Sequence, residues 1–217
     1  MAPKYKIVLA SQSPRRRDLL NLLGVPFLVI PSRFDEDSVP IKNFKNGLDR
    51  AIFFARSKAL DVKAQIENDS FIDARKSLII SCDTLVECYG DILEKPRDIN
   101  DAKKMLKSLS DKRHHVHSAV TIVYKVESGL WEECHFHSTS TVFFHPISDV
   151  LLDKYLQTKD SLDKAGAYGL QGLAQCFVKE IQGNYSSIIG LPIDLVERHL
   201  ANIFKEMGME KWWEYVE

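Results

Sequence analysis

The residues best suited to chemistry in this chain fall in five short stretches. Ser11-Gln12-Ser13-Pro14-Arg15-Arg16-Arg17 follows an apolar run and opens a helix, since Ser-Pro supplies an N-cap and a first helical proline. Three cations there oppose the positive end of the helix dipole, which favours acidic residues by about 0.3–1 kcal/mol each. Serine hydroxyls, free backbone N–H groups and arginine forks suit a phosphate, and a solvated basic face is the alternative. Arg17 is the most expendable of the three. Asp35-Glu36-Asp37 offers hard oxygen ligands of the kind Mg2+ or Mn2+ take beside substrate phosphates. In Ser81-Cys82-Asp83-Thr84, a carboxylate leaves an apolar strand, where it needs a metal, a cationic neighbour or turn hydrogen bonds. Lys95, held by Pro96 in Leu93-Glu94-Lys95-Pro96, can act as a point charge for phosphate. Asp163-Lys164-Ala165-Gly166-Ala167-Tyr168-Gly169-Leu170-Gln171-Gly172 lets backbone approach a ligand closely, and Gln171 can donate to and accept from a base edge. It is neither a Walker loop nor a G-x-G-x-x-G fingerprint.

The elements that must carry these groups alternate between strand and helix. Lys6–Ala10 reads as a buried strand and Phe27–Ile30 as another strand, closed by Pro31, with a helix between them running from Ser13-Pro14 through Leu19, Leu20, Leu22 and Leu23 to Gly24. A second helix is predicted over about Gly47 to Lys63, with Leu48, Ile52, Ala55 and Ala59 on one face. Leu78-Ile79-Ile80 reads as a central strand. Leu85–Tyr89 and Ile92-Leu93 flank a Gly90-Asp91 hairpin signal. Ile99, Ala102, Met105, Leu106 and Leu109 mark another helix. Val116–Val126 and Glu133–Phe144 are long strands about a Glu127-Ser128-Gly129 turn. Helices follow over Asp149–Gln157, capped by Ser148, and along Val196, Leu200, Ile203, Phe204 and Met207. Long adjacent strands among helices imply an α/β fold on a mixed sheet, and no linker divides residues 1–217 into more than one domain.

Composition bounds the rest. Lys+Arg 29 against Asp+Glu 30 gives a net charge of -1, which argues against an extended nucleic-acid face. No run reaches the roughly 20 apolar residues of a membrane span, and Ile7–Ala10 is too short for a signal-peptide core. Cys82, Cys88, Cys134 and Cys176 show no C-x-x-C spacing, and the expectation is reduced thiols in a cytoplasmic protein. His114, His115, His117, His135 and His137 lack acidic or Cys partners at ligand spacing and read as a polar strand face. Trp212 and Trp213 are open to two readings, a partner site or a tail docked on its own core.

Taken in order along the chain, these stretches resemble the Maf family of nucleotide pyrophosphatases. The resemblance runs through Leu9-Ala10-Ser11-Gln12-Ser13-Pro14-Arg15-Arg16, Asp35-Glu36, Arg56-Ser57-Lys58-Ala59, Asp83-Thr84 and Leu93-Glu94-Lys95-Pro96. It continues with Leu109-Ser110 and His114, with Asp163 to Gly172, and with Gly190-Leu191-Pro192. Asp111 stands where the family usually has glycine, Ser57 where Glu or Gln is commoner, and Gln175 where small residues are usual.

The resemblance implies an inosine-triphosphatase-like fold, two lobes of a mixed sheet around a central cleft, and a homodimer. It also implies metal-dependent hydrolysis of a nucleoside triphosphate to monophosphate and pyrophosphate. The branch acting on dTTP and UTP has Arg after Ser-Pro, Thr after the key Asp, and Gln in the glycine-rich stretch, matched here by Arg15, Thr84 and Gln171. The branch preferring 7-methyl-GTP has Trp, Gln and Glu there. By the same resemblance, Ser11, Arg15, Arg16, Lys58 and Lys95 would hold the triphosphate, and Glu36 the Mg2+ or Mn2+, with Asp83 either a second metal ligand or the proton acceptor alone. Asp83 would accept the proton of the attacking water, and Gln171, with Arg15 and Thr84, would read the pyrimidine. A nucleotide-binding regulator of cell division without catalysis is the rival of a different class.

Overall fold

Seven strands form one sheet in the computed structural model, which describes residues 4–126 and 128–217. The strands are β1 (Lys6–Leu9), β2 (Phe27–Val29), β3 (Ser77–Cys88), β4 (Asp91–Leu93), β5 (Arg113–Lys125), β6 (Trp131–Phe144) and β7 (Val178–Gln182). Their order is β2-β1-β3-β5-β6-β7, with β4 beside β3. β2, β1 and β3 run parallel, and β3, β5, β6 and β7 alternate antiparallel, so the sheet is mixed as expected. The helices are α1 (Pro14–Asn21), α2 (Gly47–Glu67), α3 (Ile99–Leu109), α4 (Asp149–Gln157), α5 (Tyr185–Ile189) and α6 (Ile193–Glu206).

β3 differs from its sequence reading in a way that matters. Leu78–Ile80 and Leu85–Tyr89, expected as separate strands, are parts of one strand of 12 residues. The polar Ser81, Asp83 and Thr84 break the apolar run. The ladder to β5 nevertheless continues from Leu78↔Tyr124 to Glu87↔His115. Asp83 therefore lies in mid-strand, not at a strand end. The hairpin turn to β4 is Tyr89-Gly90, both at positive φ (51° and 90°), one residue earlier than Gly90-Asp91.

Strand alternation then sorts the side chains. Ile79 and Leu85 face α2, where Ala51, Ala55, Ala59, Val62 and Ile66 are buried. On the other face, Leu78, Ile80 and Cys82 join a cluster with Leu20 of α1 and Val196, Leu200 and Phe204 of α6. Val86 and Cys88 join a second cluster with Ala102 and Leu106 of α3 and Tyr155 of α4. β5 repeats the division, with Val120 and Ile122 in the first cluster and Val116 in the second. These clusters are the two lobes. Thr84 and its partner across the ladder, Ser118, sit on the seam between them. Their hydroxyls are 2.7 Å apart, and Ser118 donates to the Ser187 carbonyl of α5 at 2.7 Å.

Other expectations shift by a turn or less. α1 stops at Asn21 because Leu22 and Leu23 close tight turns onto Leu19 and Leu20, leaving Leu22 exposed. Ser13 occupies the N-cap position, but its hydroxyl makes no cap hydrogen bond. α2 runs past Lys63 to Glu67, and its buried face is turned toward Ala51, Phe54 and Lys58, leaving Leu48 and Ile52 half-buried. Ser148 caps α4 as expected, accepting from the Leu151 N–H. Asp111, in the family's glycine position, takes φ 57°, a left-handed turn that Asp tolerates better than most residues. Glu127, first residue of the expected turn, lies outside the described residues. Trp212 docks in the first core cluster, and Trp213 stays half-exposed. Among the described residues, no helix is long and apolar enough to cross a membrane.

Candidate active site

On the edge of β3 toward β1, pairing stops at Leu9↔Ile80, extended only by the Ala10 N–H to Ile80 carbonyl bond. Pairing resumes on that edge at Val86↔Leu93 of β4. Among the described residues no strand pairs with 81–85 there. A cleft of about 740 Å3 opens at this gap, at the carboxyl end of β1, the kind of place where open α/β sheets bind ligands. Because the gap is an edge, both faces of β3 reach it. Asp83 enters from the α2 side and Thr84 from the seam.

Lys58 of α2 anchors the first half of the site. Its Nζ donates to Asp83 Oδ1 at 2.6 Å and ion-pairs with Glu36 Oε1 at 2.9 Å. Lys58 and Asp83 are nearly buried, at 11% and 7% side-chain exposure, so neither charge could stand alone. Asp83 Oδ2 is buried without a hydrogen-bond partner. Asp35 caps the short turn Glu36–Ser38 by accepting from the Asp37 N–H, and both flanking acids face solvent while Glu36 turns inward. Two carboxylates converging on one ammonium, one with an unpartnered oxygen, match a hard divalent cation that completes its shell with phosphate and water. Among the described residues no group of three His, Cys, Asp or Glu clusters as a self-sufficient metal site.

The basic helix start forms the second half. Arg16 donates to the Gly190 carbonyl (3.0 Å), to Ser11 Oγ (3.3 Å) and to Thr84 Oγ1 (3.4 Å), which fixes it across the seam. Gly190 has φ 137°, a backbone conformation closed to most side chains. Arg15 reaches the glycine-rich stretch and donates to Asp163 Oδ2 at 2.8 Å. Lys164 donates to Asp163 Oδ1 (2.7 Å) and Asp160 Oδ1 (2.6 Å). Burial pushes the Asp163 carboxyl up, but the Lys164 and Arg15 hydrogen bonds outweigh it, and the group ends below the ordinary carboxylate range. Gly166, at φ 66°, lies so close to Val86 that a Cβ would fall 3.0–3.1 Å from its side chain. Ser11, Lys95 and Gln171 also line the cleft; Ser11 is buried, and Lys95 and Gln171 are exposed. Arg17 faces solvent, as its sequence reading has it.

A family model for Maf-like proteins matches residues 6–203, and every stretch quoted above lies inside it. The chain belongs to the Maf-like protein family. A Clostridium kluyveri protein named dTTP/UTP pyrophosphatase is 42% identical over 205 residues, covering 94% of this chain and 98% of that one. A protein of the same name from Acholeplasma laidlawii is 36% identical, covering 90% of this chain and 95% of that one. A HAM1 protein structure from Coxiella burnetii aligns at TM-score 0.44 and 15% identity, over 91% of this chain and 99% of that one.

All nine residues expected at the site of this Maf-like chain line one cleft: Ser11, Arg15, Arg16, Glu36, Lys58, Asp83, Thr84, Lys95 and Gln171. Arg56, beside Lys58 in sequence, points away and pairs with Glu133. Four further polar residues support the site: Arg50, Glu94, Ser118 and Asp163. Glu94 and Asp163 stand inside the quoted motifs, whereas Arg50 and Ser118 carry no local signal. His114 lies behind the site. Its Nε2 lies 2.7 Å from the Tyr168 hydroxyl, beneath the glycine-rich stretch, and burial pushes the imidazole down to about 4. Burial likewise pushes the Tyr168 phenol up, so the pair is neutral. His115 and His117 project from the opposite face of β5, where His117 packs against Gly47 at the start of α2.

Proposed function

We propose that this chain hydrolyses dTTP and UTP to the monophosphate and pyrophosphate. The observation that carries the reading is the Lys58 bridge between Asp83 and Glu36, facing Arg15, Arg16 and Lys95 across one cleft. Relatives named dTTP/UTP pyrophosphatase at 36–42% identity support the substrate, as do Arg15, Thr84 and Gln171. We take residues 1–217 as one domain, acting in the cytoplasm as a homodimer.

Each residue has a physical task. Arg15, Arg16, Lys95 and the Ser11 hydroxyl offset the charge of the triphosphate and place its α-phosphorus beside β3. Lys58 holds Asp83 Oδ1, which leaves Oδ2 to take a proton from the attacking water. The new P–O bond forms to that water oxygen, the α–β bridging bond breaks, and its electron pair leaves with pyrophosphate. Glu36 would hold Mg2+ or Mn2+, with Asp83 kept for the proton, and the ion when bound would neutralise phosphate charge and lower the pKa of water. Thr84 and Gln171 face the base, each able to donate and accept, as pyrimidine recognition requires.

The test is pyrophosphate release by the pure protein with Mg2+ or Mn2+ from a panel of dTTP, UTP, ATP and 7-methyl-GTP. The expected result is release from dTTP and UTP, abolished by chelator. Turnover of 7-methyl-GTP alone would reassign the substrate. Nucleotide binding without any product would replace the enzyme by a nucleotide-dependent regulator.

A further inference from the structure

Arg50 is 3% exposed, yet it belongs to none of the sequence stretches that mark the site. Its guanidinium lies against two rings, 4.4 Å from the Phe54 centroid and 5.3 Å from that of Phe44. Nη1 donates to the Val39 carbonyl at 2.9 Å, and Nη2 pairs with Glu94. Nε is buried without a partner. A methionine would fill the space between two phenylalanines without desolvating a charge, so packing does not account for an arginine here.

What the two bonds connect does account for it. Val39 closes the acidic turn, its N–H donating to the Glu36 carbonyl at 3.2 Å, so holding Val39 holds the turn that presents Glu36. Glu94 immediately precedes Lys95, and its own carbonyl accepts from the Gly166 N–H at 3.2 Å. One rigid fork therefore joins the Glu36 turn, the Lys95 segment and, through it, the glycine-rich stretch. All three border the cleft, and both Arg50 and Glu94 line it. A planar guanidinium can satisfy two acceptors in fixed directions, which an ammonium on a flexible stem does not.

We propose that Arg50 is a positioning residue that sets the spacing between Glu36 and Lys95, and hence the fit of the cleft to a nucleoside triphosphate. The proposal rests on the pyrophosphatase reading. Misplacement of groups by about 1 Å is enough to lower reactivity by about 100-fold, and here it acts on the grip of Glu36 and Lys95 on the metal-bound triphosphate and not on the proton acceptor Asp83, so the larger effect falls on KM.

The experiment compares wild type with Arg50→Met, Arg50→Lys and Glu94→Gln. Steady-state kinetics on dTTP are measured beside calorimetric binding of the non-hydrolysable α,β-methylene analogue and thermal melting. For Arg50→Met, KM and the analogue Kd should rise together by about ten-fold or more while kcat changes by less than about three-fold. Arg50→Lys should recover only part of that loss. Glu94→Gln keeps a hydrogen bond without the ion pair and should raise KM by about three-fold. A lower melting temperature with unchanged KM and Kd overturns the proposal, because a merely structural arginine predicts that. If Arg50→Met does not fold, unchanged KM and Kd in both Arg50→Lys and Glu94→Gln overturn it equally. Wild type inactive on dTTP and UTP would instead mean that the pyrophosphatase reading had failed, and the proposal with it.

Discussion

Two cation–carboxylate clusters face each other across the cleft, and they are built to opposite specifications. Lys58 and Asp83 sit on the long helix α2 and the long strand β3, almost wholly buried, and Glu36 reaches Lys58 from its short turn with its side chain 38% exposed. Arg15 and Asp163 join a helix start to a glycine-rich stretch, and the Asp163 side chain is 61% exposed, although Lys164 behind it is buried. Breaking a buried pair costs about 3–5 kcal/mol because it strands a charge. An exposed pair is worth about 0–1 kcal/mol. On the proposed reading, the Lys58–Asp83 pair is fixed before substrate arrives, whereas Arg15 would exchange Asp163 for phosphate at little cost. Groups that react belong on rigid elements, and groups that receive a ligand belong where contacts can be traded.

The sharpest way to break that contrast is Asp83→Asn. The amide keeps an oxygen for Lys58, and Glu36 keeps its own ion pair with Lys58, so the fold should survive. Proton acceptance is lost, and kcat should fall by about 10^3-fold or more. Pyrophosphate release and a thermal melt measure the two halves of this prediction. A folded Asp83→Asn protein retaining a tenth of wild-type turnover would place the proton acceptor elsewhere.

Asp83 also shows what was legible in the sequence and what was not. The residue itself was visible, as were Lys58, Glu36 and the arginines, because their motifs are local. Its position was not. Polar Ser81, Asp83 and Thr84 split an apolar run, so one strand read as two with the carboxylate at a strand end. The ladder to β5 overrides that pattern, and the break in periodicity marks the site itself. The Lys58–Asp83 contact depends on α2 packing over β3, which no local spacing encodes. Arg50 was invisible for the same reason: on a half-apolar helix, an arginine reads as surface until Val39 and Glu94 are placed around it. By contrast, β1, β5, β6, α4 and the glycine-rich stretch follow from periodicity and turn chemistry, and the α/β mixed-sheet class follows with them.

A middle-sized effect should distinguish the two sides by their response to acid. His114 is buried under the glycine-rich stretch with its imidazole pushed down to about 4 by burial, whereas the unfolded chain titrates near the ordinary 6.5. Between those values the unfolded state binds the proton and the folded state does not. This group's stabilisation is therefore complete above the ordinary value and is lost as pH falls from 6.5 toward 4. At pH 5 the loss relative to pH 7 should be about 2 kcal/mol. Urea unfolding of wild type and His114→Gln at both pH values measures it. The variant should show a pH difference smaller by that amount; an equal pH difference in both proteins would remove His114 from the account.

The smallest effect belongs to Asp163→Asn, and it is the one that decides whether the two clusters differ in kind. Lys164 retains Asp160, so no buried charge is stranded, and the stability change should stay within about 1 kcal/mol. The Asp163 carboxyl lies below the ordinary value of 3.8, so its contribution is present above that value and lost only as pH falls through its folded pKa. Near neutral pH the carboxyl neither gains nor loses charge. Freeing Arg15 from its carboxylate should leave kcat unchanged and lower KM for dTTP by about two-fold or less. These shifts are readable by steady-state kinetics at fixed ionic strength. Should Asp163→Asn instead depress kcat as severely as Asp83→Asn, the exposed pair would be part of the reacting machinery. Rigidity of the supporting element would then no longer separate the groups that react from the groups that receive.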